Sequence, residues 1–260
     1  MKETHSRRGF LGTAGLSLSL TLAGCLDSSD SSDSADSPEG SSEGSDENST
    51  DASGSANESD RTGASEPEDV TFESTAGTEL EGTIHGEGRC GIVLTPQINL
   101  DRESWSEQAR RLADEGYSAL AIDEDEDDRP GSILGAVRHL TEERGTERIV
   151  LVGASSGGEA SVVANARAET DAVAGVVAIS PGGGADRPAD LRGRKLFVVA
   201  EDDDERFVRT TEKLHEQAPE PKELRTYSGD EHGQGLFETE HGGDLLGRIL
   251  ALVDAACEEG

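Results

Sequence analysis

Three regimes of apolar and polar positions follow one another along the chain. A short apolar stretch, residues 16–23, lies near the start. Residues 26–69 show no apolar periodicity at all. From residue 70 onward, apolar runs of strand length alternate with longer stretches of helical period. Residues 91–94, 117–123, 149–152, 173–180 and 195–200 are such runs, each bounded by turn residues, and each reads as a buried strand. Residues 72–74 and 80–85 predict a leading hairpin turned at Ala76-Gly77, and 223–227 predicts a last short strand. In the helix predicted over 105–116, Trp105, Ala109 and Leu112 share one face, and Glu107, Arg110, Arg111 and Asp114 the other. Arg129-Pro130-Gly131-Ser132 opens a second helix, with Ser132 as N-cap and Ile133, Val137 and Leu140 inward. A third helix follows residue 157, and a closing helix within 236–257 begins near Gly243. This alternation predicts one α/β domain over 70–260, with three α/β/α layers around a mostly parallel central sheet. It is long enough for a substantial core.

One strand-to-helix junction carries chemistry. Gly153-Ala154-Ser155-Ser156-Gly157 sets G-x-S-x-G between the apolar run 149–152 and a small-residue helix, which is the context the motif needs. Flanking glycines suit a turn too tight for side chains, and the serine is held at its corner. A serine hydroxyl is a weak nucleophile alone, so a base and an acid are needed downstream. The run 195–200 leads into Glu201-Asp202-Asp203-Asp204, and the strand 223–227 leads through Ser228-Gly229-Asp230-Glu231 to His232-Gly233.

Serine, acid and histidine in that order, each just past a strand, resemble the α/β-hydrolase family over residues 70–257. The small dienelactone-hydrolase-like and carboxylesterase-like members are the nearest in pattern. The resemblance implies Ser155 as nucleophile and His232 as base, with His241 as the fallback base. Ser156 has the wrong offset from the glycines to attack. For the acid, a small residue, two variable positions and Asp select Asp203, with Asp204 as the alternative. One oxyanion amide comes from Ser156. The other comes from the loop after residue 95, where family members often carry His-Gly and this chain carries Pro96-Gln97. Proline has no N–H, so the donor is Gln97 or Ile98. Only residues 181–194 are available for a lid, too few to form one of its own, so a minimal lid or none is expected and the site is expected to be shallow and open.

The ends and the charge add localisation. Ser6-Arg7-Arg8-Gly9-Phe10-Leu11 resembles a twin-arginine export signal, and Leu22-Ala23-Gly24-Cys25 resembles a lipoprotein processing site. Residues 1–25 are therefore read as a signal that leaves a lipid on Cys25, anchoring the protein to the outer face of the cell membrane. Residues 26–69 hold 14 acidic residues and one arginine among Ser, Gly and Asn, and are read as a disordered tether. The formal net charge is −32, of which residues 70–260 carry −21; aromatics are 3% of the chain, and nineteen arginines stand against four lysines. Such a surface resembles proteins of salt-loving archaea, so stability is expected to fall at low ionic strength. It excludes nucleic acid as a partner. The acidic run 123–128 lacks the glycine and spacing of a calcium loop and reads as a solvated loop. No metal-ligand spacing is present and no cofactor is expected. Cys90 and Cys257 are open to a disulfide or to two separate thiols. Together these features lead to an expected serine hydrolase acting on a small carboxylic ester or lactone. A peptidase, an acyltransferase and a non-catalytic binding protein are the alternatives, and the oligomeric state is not set.

Overall fold

A computed structural model describes residues 66–184, 186 and 188–258. The export signal, Cys25 and the tether up to residue 65 lie outside the described residues. Eight strands form one sheet: β1 (Glu68–Glu73), β2 (Glu79–His85), β3 (Cys90–Thr95), β4 (Ser118–Ile122), β5 (Arg148–Ala154), β6 (Val173–Ile179), β7 (Arg194–Ala200) and β8 (Lys222–Tyr227). Their spatial order is β1-β2-β4-β3-β5-β6-β7-β8. The leading hairpin is antiparallel, and β2 joins β4 antiparallel; every later pair is parallel. β1 begins at Glu68, inside the segment read as tether, because hairpin pairing with β2 carries an otherwise exposed acidic stretch into the sheet.

Five helices cover the sheet: α1 (Ser106–Asp114), α2 (Arg129–Glu143), α3 (Ser156–Arg167), α4 (Glu205–Gln217) and α5 (Gly242–Glu258). The strand period of two decides which layer each side chain joins. Ile92 and Leu94 pack with Trp105, Leu112, Leu245 and Ile249 of the α1/α5 layer. Val93, between them, packs with Ile133, Val137 and Leu140 of α2. β5, β6 and β7 are apolar on both faces, as a parallel strand covered twice must be. β8 is one of the two edges, opposite β1, and Lys222, Glu223 and Arg225 blunt it against further pairing.

A further sequence expectation changes. α2 starts at Arg129, and its N-cap is Asp128, whose Oδ1 accepts from the Gly131 amide at 3.1 Å. Ser132 lies inside the first turn, buried, accepting from the Asp125 amide at 2.9 Å. Pro130 is pre-set for the first helical turn, so the helix begins ahead of it and an acid, not Ser132, meets the free amides. α4 shows little apolar pattern in the sequence, because its buried face is only Phe207, Thr211 and Leu214 and most of the rest is charged. Among the described residues, no helix is long and apolar enough to cross a membrane.

Cys90, at the start of β3, is disulfide-bonded to Cys257 near the end of α5, with Cα atoms 6.1 Å apart and 167 residues of separation. Closing so long a loop restricts the unfolded chain strongly. Cys257→Ser is expected to lower unfolding free energy by about 3–5 kcal/mol. Denaturant titration would check this, and reducing agent should produce the same loss in the wild type alone.

Candidate active site

β3 has β4 on one side and β5 on the other, so the chain changes winding direction there. In open parallel sheets this leaves a crevice beyond the carboxyl ends of the strands. The loops after β3, β5, β6 and β7, with the segment after β8, all meet at this end.

Ser155 sits between β5 and α3 at φ 50° and ψ −113°, a backbone conformation that costs a non-glycine residue on the order of 1–3 kcal/mol. The corner is imposed from several sides. Its N–H donates to Ile179 O at 2.8 Å, and its carbonyl accepts from Glu159 and Gly182 amides at 3.0 and 3.3 Å. The flanking glycines are required by space: a Cβ on Gly153 would stand 2.2 Å from Gly157 O, and one on Gly157 2.3 Å from Pro96 O. The hydroxyl is thus presented above the sheet, at the start of α3.

His232 reaches it from the segment after β8. Its Nε2 lies 2.8 Å from Ser155 Oγ, and its Nδ1 lies 2.8 and 3.1 Å from the two carboxylate oxygens of Asp203. An ionised carboxylate only accepts, so Nδ1 carries the proton and Nε2 is left to accept from the serine. Asp203, just past β7, has a buried side chain, only 4% exposed. Its Oδ1 also accepts from the Asp204 amide at 2.7 Å. Asp204 points elsewhere and caps α4 through the Arg206 amide at 3.0 Å. His241, the fallback base, hydrogen-bonds to Ser228 and stacks on Tyr227, away from Ser155.

The amide of Ser156 lies in the first turn of α3, where N–H groups have no partner inside the helix. The two candidates in the β3 loop differ. The Gln97 amide is already engaged, donating to Gln234 Oε1 at 3.1 Å. The Ile98 amide has no hydrogen-bond partner among the described residues.

Three neighbours of the Ser155–His232–Asp203 contact are not marked by any sequence motif. Phe207 on α4 packs against the His232 ring, with centroids 4.0 Å apart. Ser180, buried at φ 46° after β6, accepts from the Gly233 amide at 3.2 Å. Gln234 joins the β3 loop to the histidine segment. Their signal is proximity across strands far apart in sequence, which no single-chain pattern carries. The acidic run 123–128 serves local structure: Asp125 accepts from Thr78 Oγ1 at 2.8 Å, and Asp128 caps α2.

Glu124, in the same run, is a buried carboxyl facing Arg129 at 3.6 Å. Burial pushes it up to about 7, against the opposing pull of Arg129 and with Asp123 and Glu126 adding to the rise. A carboxyl raised from its ordinary 4.5 holds its proton in the folded chain where the unfolded chain has released it. Stability therefore falls as pH rises between those values. Glu124→Gln removes that dependence. It is expected to stabilise the protein at pH 8 by up to about 3 kcal/mol, with little effect at pH 4.5. Thermal melts of both proteins at the two pH values would check this.

No family model matches the chain, and no curated protein matches it. Solved structures do. A dienelactone hydrolase from Anabaena variabilis superposes with a TM-score of 0.59 at 21% identity, covering 71% of this chain and 95% of its own. An esterase from Pyrococcus furiosus gives 0.61 at 15%, covering 73% and 91%. A dipeptidyl peptidase 4 from Porphyromonas gingivalis gives 0.58 at 13%, covering 73% of this chain and 35% of its own. At these identities the likeness establishes the fold, which is that of the α/β hydrolases.

Proposed function

We propose that this chain is a serine hydrolase that cleaves small carboxylic esters or lactones through an acyl-enzyme intermediate on Ser155. The observation that carries the proposal is the unbroken contact from Asp203 through His232 to the strained Ser155. A purely structural serine has no need of that geometry. Ser155 Oγ attacks the substrate carbonyl carbon while His232 Nε2 takes its proton. Buried Asp203 orients the ring and stabilises its charged form. Negative charge on the former carbonyl oxygen is met by the Ser156 and Ile98 amides. Collapse breaks the bond to the alkoxide, which leaves with the proton from His232. Water then attacks the acyl group, delivers a proton to His232, and the tetrahedral species releases the acid and Ser155.

Two structural neighbours, a dienelactone hydrolase and an esterase, support ester chemistry, while a third, a peptidase, shares the fold and shows that fold alone leaves the scissile bond open. Ile98 and Leu100 are large apolar side chains standing exposed on an otherwise charged molecule, and they flank the proposed oxyanion amide. Such a rim suits a small apolar group on the substrate. The placement outside the cell membrane, with lipid on Cys25 and an acidic tether between, belongs to the same proposal and rests on the sequence motifs of residues 1–25. Hydrolysis of p-nitrophenyl acetate and butyrate, a simple lactone and a peptide anilide, in molar salt, tests the chemistry. Turnover of the esters or the lactone well above the anilide is expected. Turnover of the anilide alone would overturn the assignment in favour of a peptidase.

A further inference from the structure

The turn after β3 has few means of holding its own shape. Pro96 has no N–H, Asn99 sits at φ 66°, and Ile98 and Leu100 are 55% and 45% exposed. One backbone bond closes it, from the Leu100 amide to Gln97 O at 3.1 Å. On its downstream side the chain is secured by the Arg102 amide, which donates to Asp123 Oδ1 at 3.1 Å. On its upstream side, both polar ends of Gln97 go to a single residue. Its amide donates to Gln234 Oε1 at 3.1 Å, and its side-chain Oε1 accepts from the Gln234 amide at 3.0 Å. Gln234 Nε2 then donates to Ser104 Oγ at 3.0 Å and to Ser104 O at 3.4 Å. These partners determine which way the Gln234 amide points, since a backbone N–H needs an oxygen and a carbonyl needs a nitrogen.

Gln234 is also two residues from His232. The intervening Gly233, at φ 59°, donates to Ser180 Oγ, and a Cβ on it would stand 2.3 Å from Gln97 Oε1. The clasp therefore joins the turn bearing the Ile98 amide to the segment bearing the imidazole, across 137 residues of sequence. We infer that Gln234 is a positioning residue which, on the hydrolase reading above, sets the Ile98 amide and the His232 ring at one fixed separation by holding Gln97 from both directions. It touches no reacting atom. It acts because a donor displaced by about 1 Å forfeits roughly a hundredfold in rate. The same clasp occupies the Gln97 amide, so that of the two candidate donors in this loop only Ile98 is left free.

Gln234→Met keeps the bulk and loses the side-chain hydrogen bonds, while Gln234→Glu keeps the acceptor, loses the donor and adds charge beside the oxyanion turn. With p-nitrophenyl acetate in molar salt, Gln234→Met is expected to lower kcat about 10–100-fold with KM within about threefold. Gln234→Glu is expected to be slower still at pH 8, and its rate relative to wild type should recover as pH falls and the carboxyl becomes neutral. A role in packing alone would move neither the kcat–KM split nor that ratio. Amide hydrogen exchange at Gln97 and Ile98 reads the clasp without turnover, and about tenfold faster exchange at Gln97 is expected in Gln234→Met. Wild-type kcat in a folded Gln234→Met, or unchanged exchange at Gln97, overturns the inference. A folded wild type that hydrolyses no ester and takes no fluorophosphonate label overturns the hydrolase reading and the catalytic role of the clasp together. Unchanged exchange beside an active wild type overturns the clasp alone.

Discussion

Ser155→Ala is expected to abolish fluorophosphonate labelling and to reduce ester turnover on the order of a million-fold. Alanine removes the Oγ that stands 2.8 Å from His232 Nε2 and leaves the backbone bonds that hold the corner. The fold should therefore survive, and a circular dichroism spectrum matching wild type is part of the expectation. His232→Ala should lose nearly as much, because the hydroxyl then has no acceptor for its proton. The double variant should be scarcely worse than either single one, since nucleophile and base act as one unit. Single-turnover kinetics with p-nitrophenyl acetate would measure all three. Labelling that persists in folded Ser155→Ala would place the reactive serine elsewhere and remove the proposed mechanism.

The second large effect separates two adjacent aspartates. Asp203→Asn is expected to lower kcat about ten-thousandfold, with the fold intact. An amide in place of the carboxylate can turn its NH₂ toward Nδ1, which favours the wrong tautomer and leaves the imidazolium uncompensated. Asp204→Ala should change kcat by only a few-fold. Its cost should appear in stability, about 1 kcal/mol for a lost helix cap on α4. Steady-state kinetics beside denaturant titrations of the two variants would show this crossed pattern. Equal losses of activity would mean that His232 is oriented by the acidic run as a whole rather than by Asp203.

That distinction shows how far the sequence reached. The strand 195–200 and the spacing after Ala200 favoured Asp203, yet both aspartates stood in one solvated-looking run. Only the packing of α4 against β7 and β8 turned Asp203 inward to 4% side-chain exposure and sent Asp204 to the helix cap. The same holds for His232 over His241. Both follow β8, but His241 stacks on Tyr227 and bonds Ser228, a contact the chain pattern does not encode. The N-cap at Ser132 failed because a local rule favoured serine where Asp128 lay equally close and ahead of the proline.

The fold class, the near-continuous apolar strands and the serine corner are legible in the linear chain. These depend on the alternation of neighbouring residues and on glycines whose need for space is local. Strand order and helix packing settle which histidine meets Ser155 and which aspartate meets that histidine, the Cys90–Cys257 pairing and the Gln97–Gln234 clasp. Each of these joins groups far apart in the chain, and their meeting is set by strand order and helix packing, which a short sequence window does not contain.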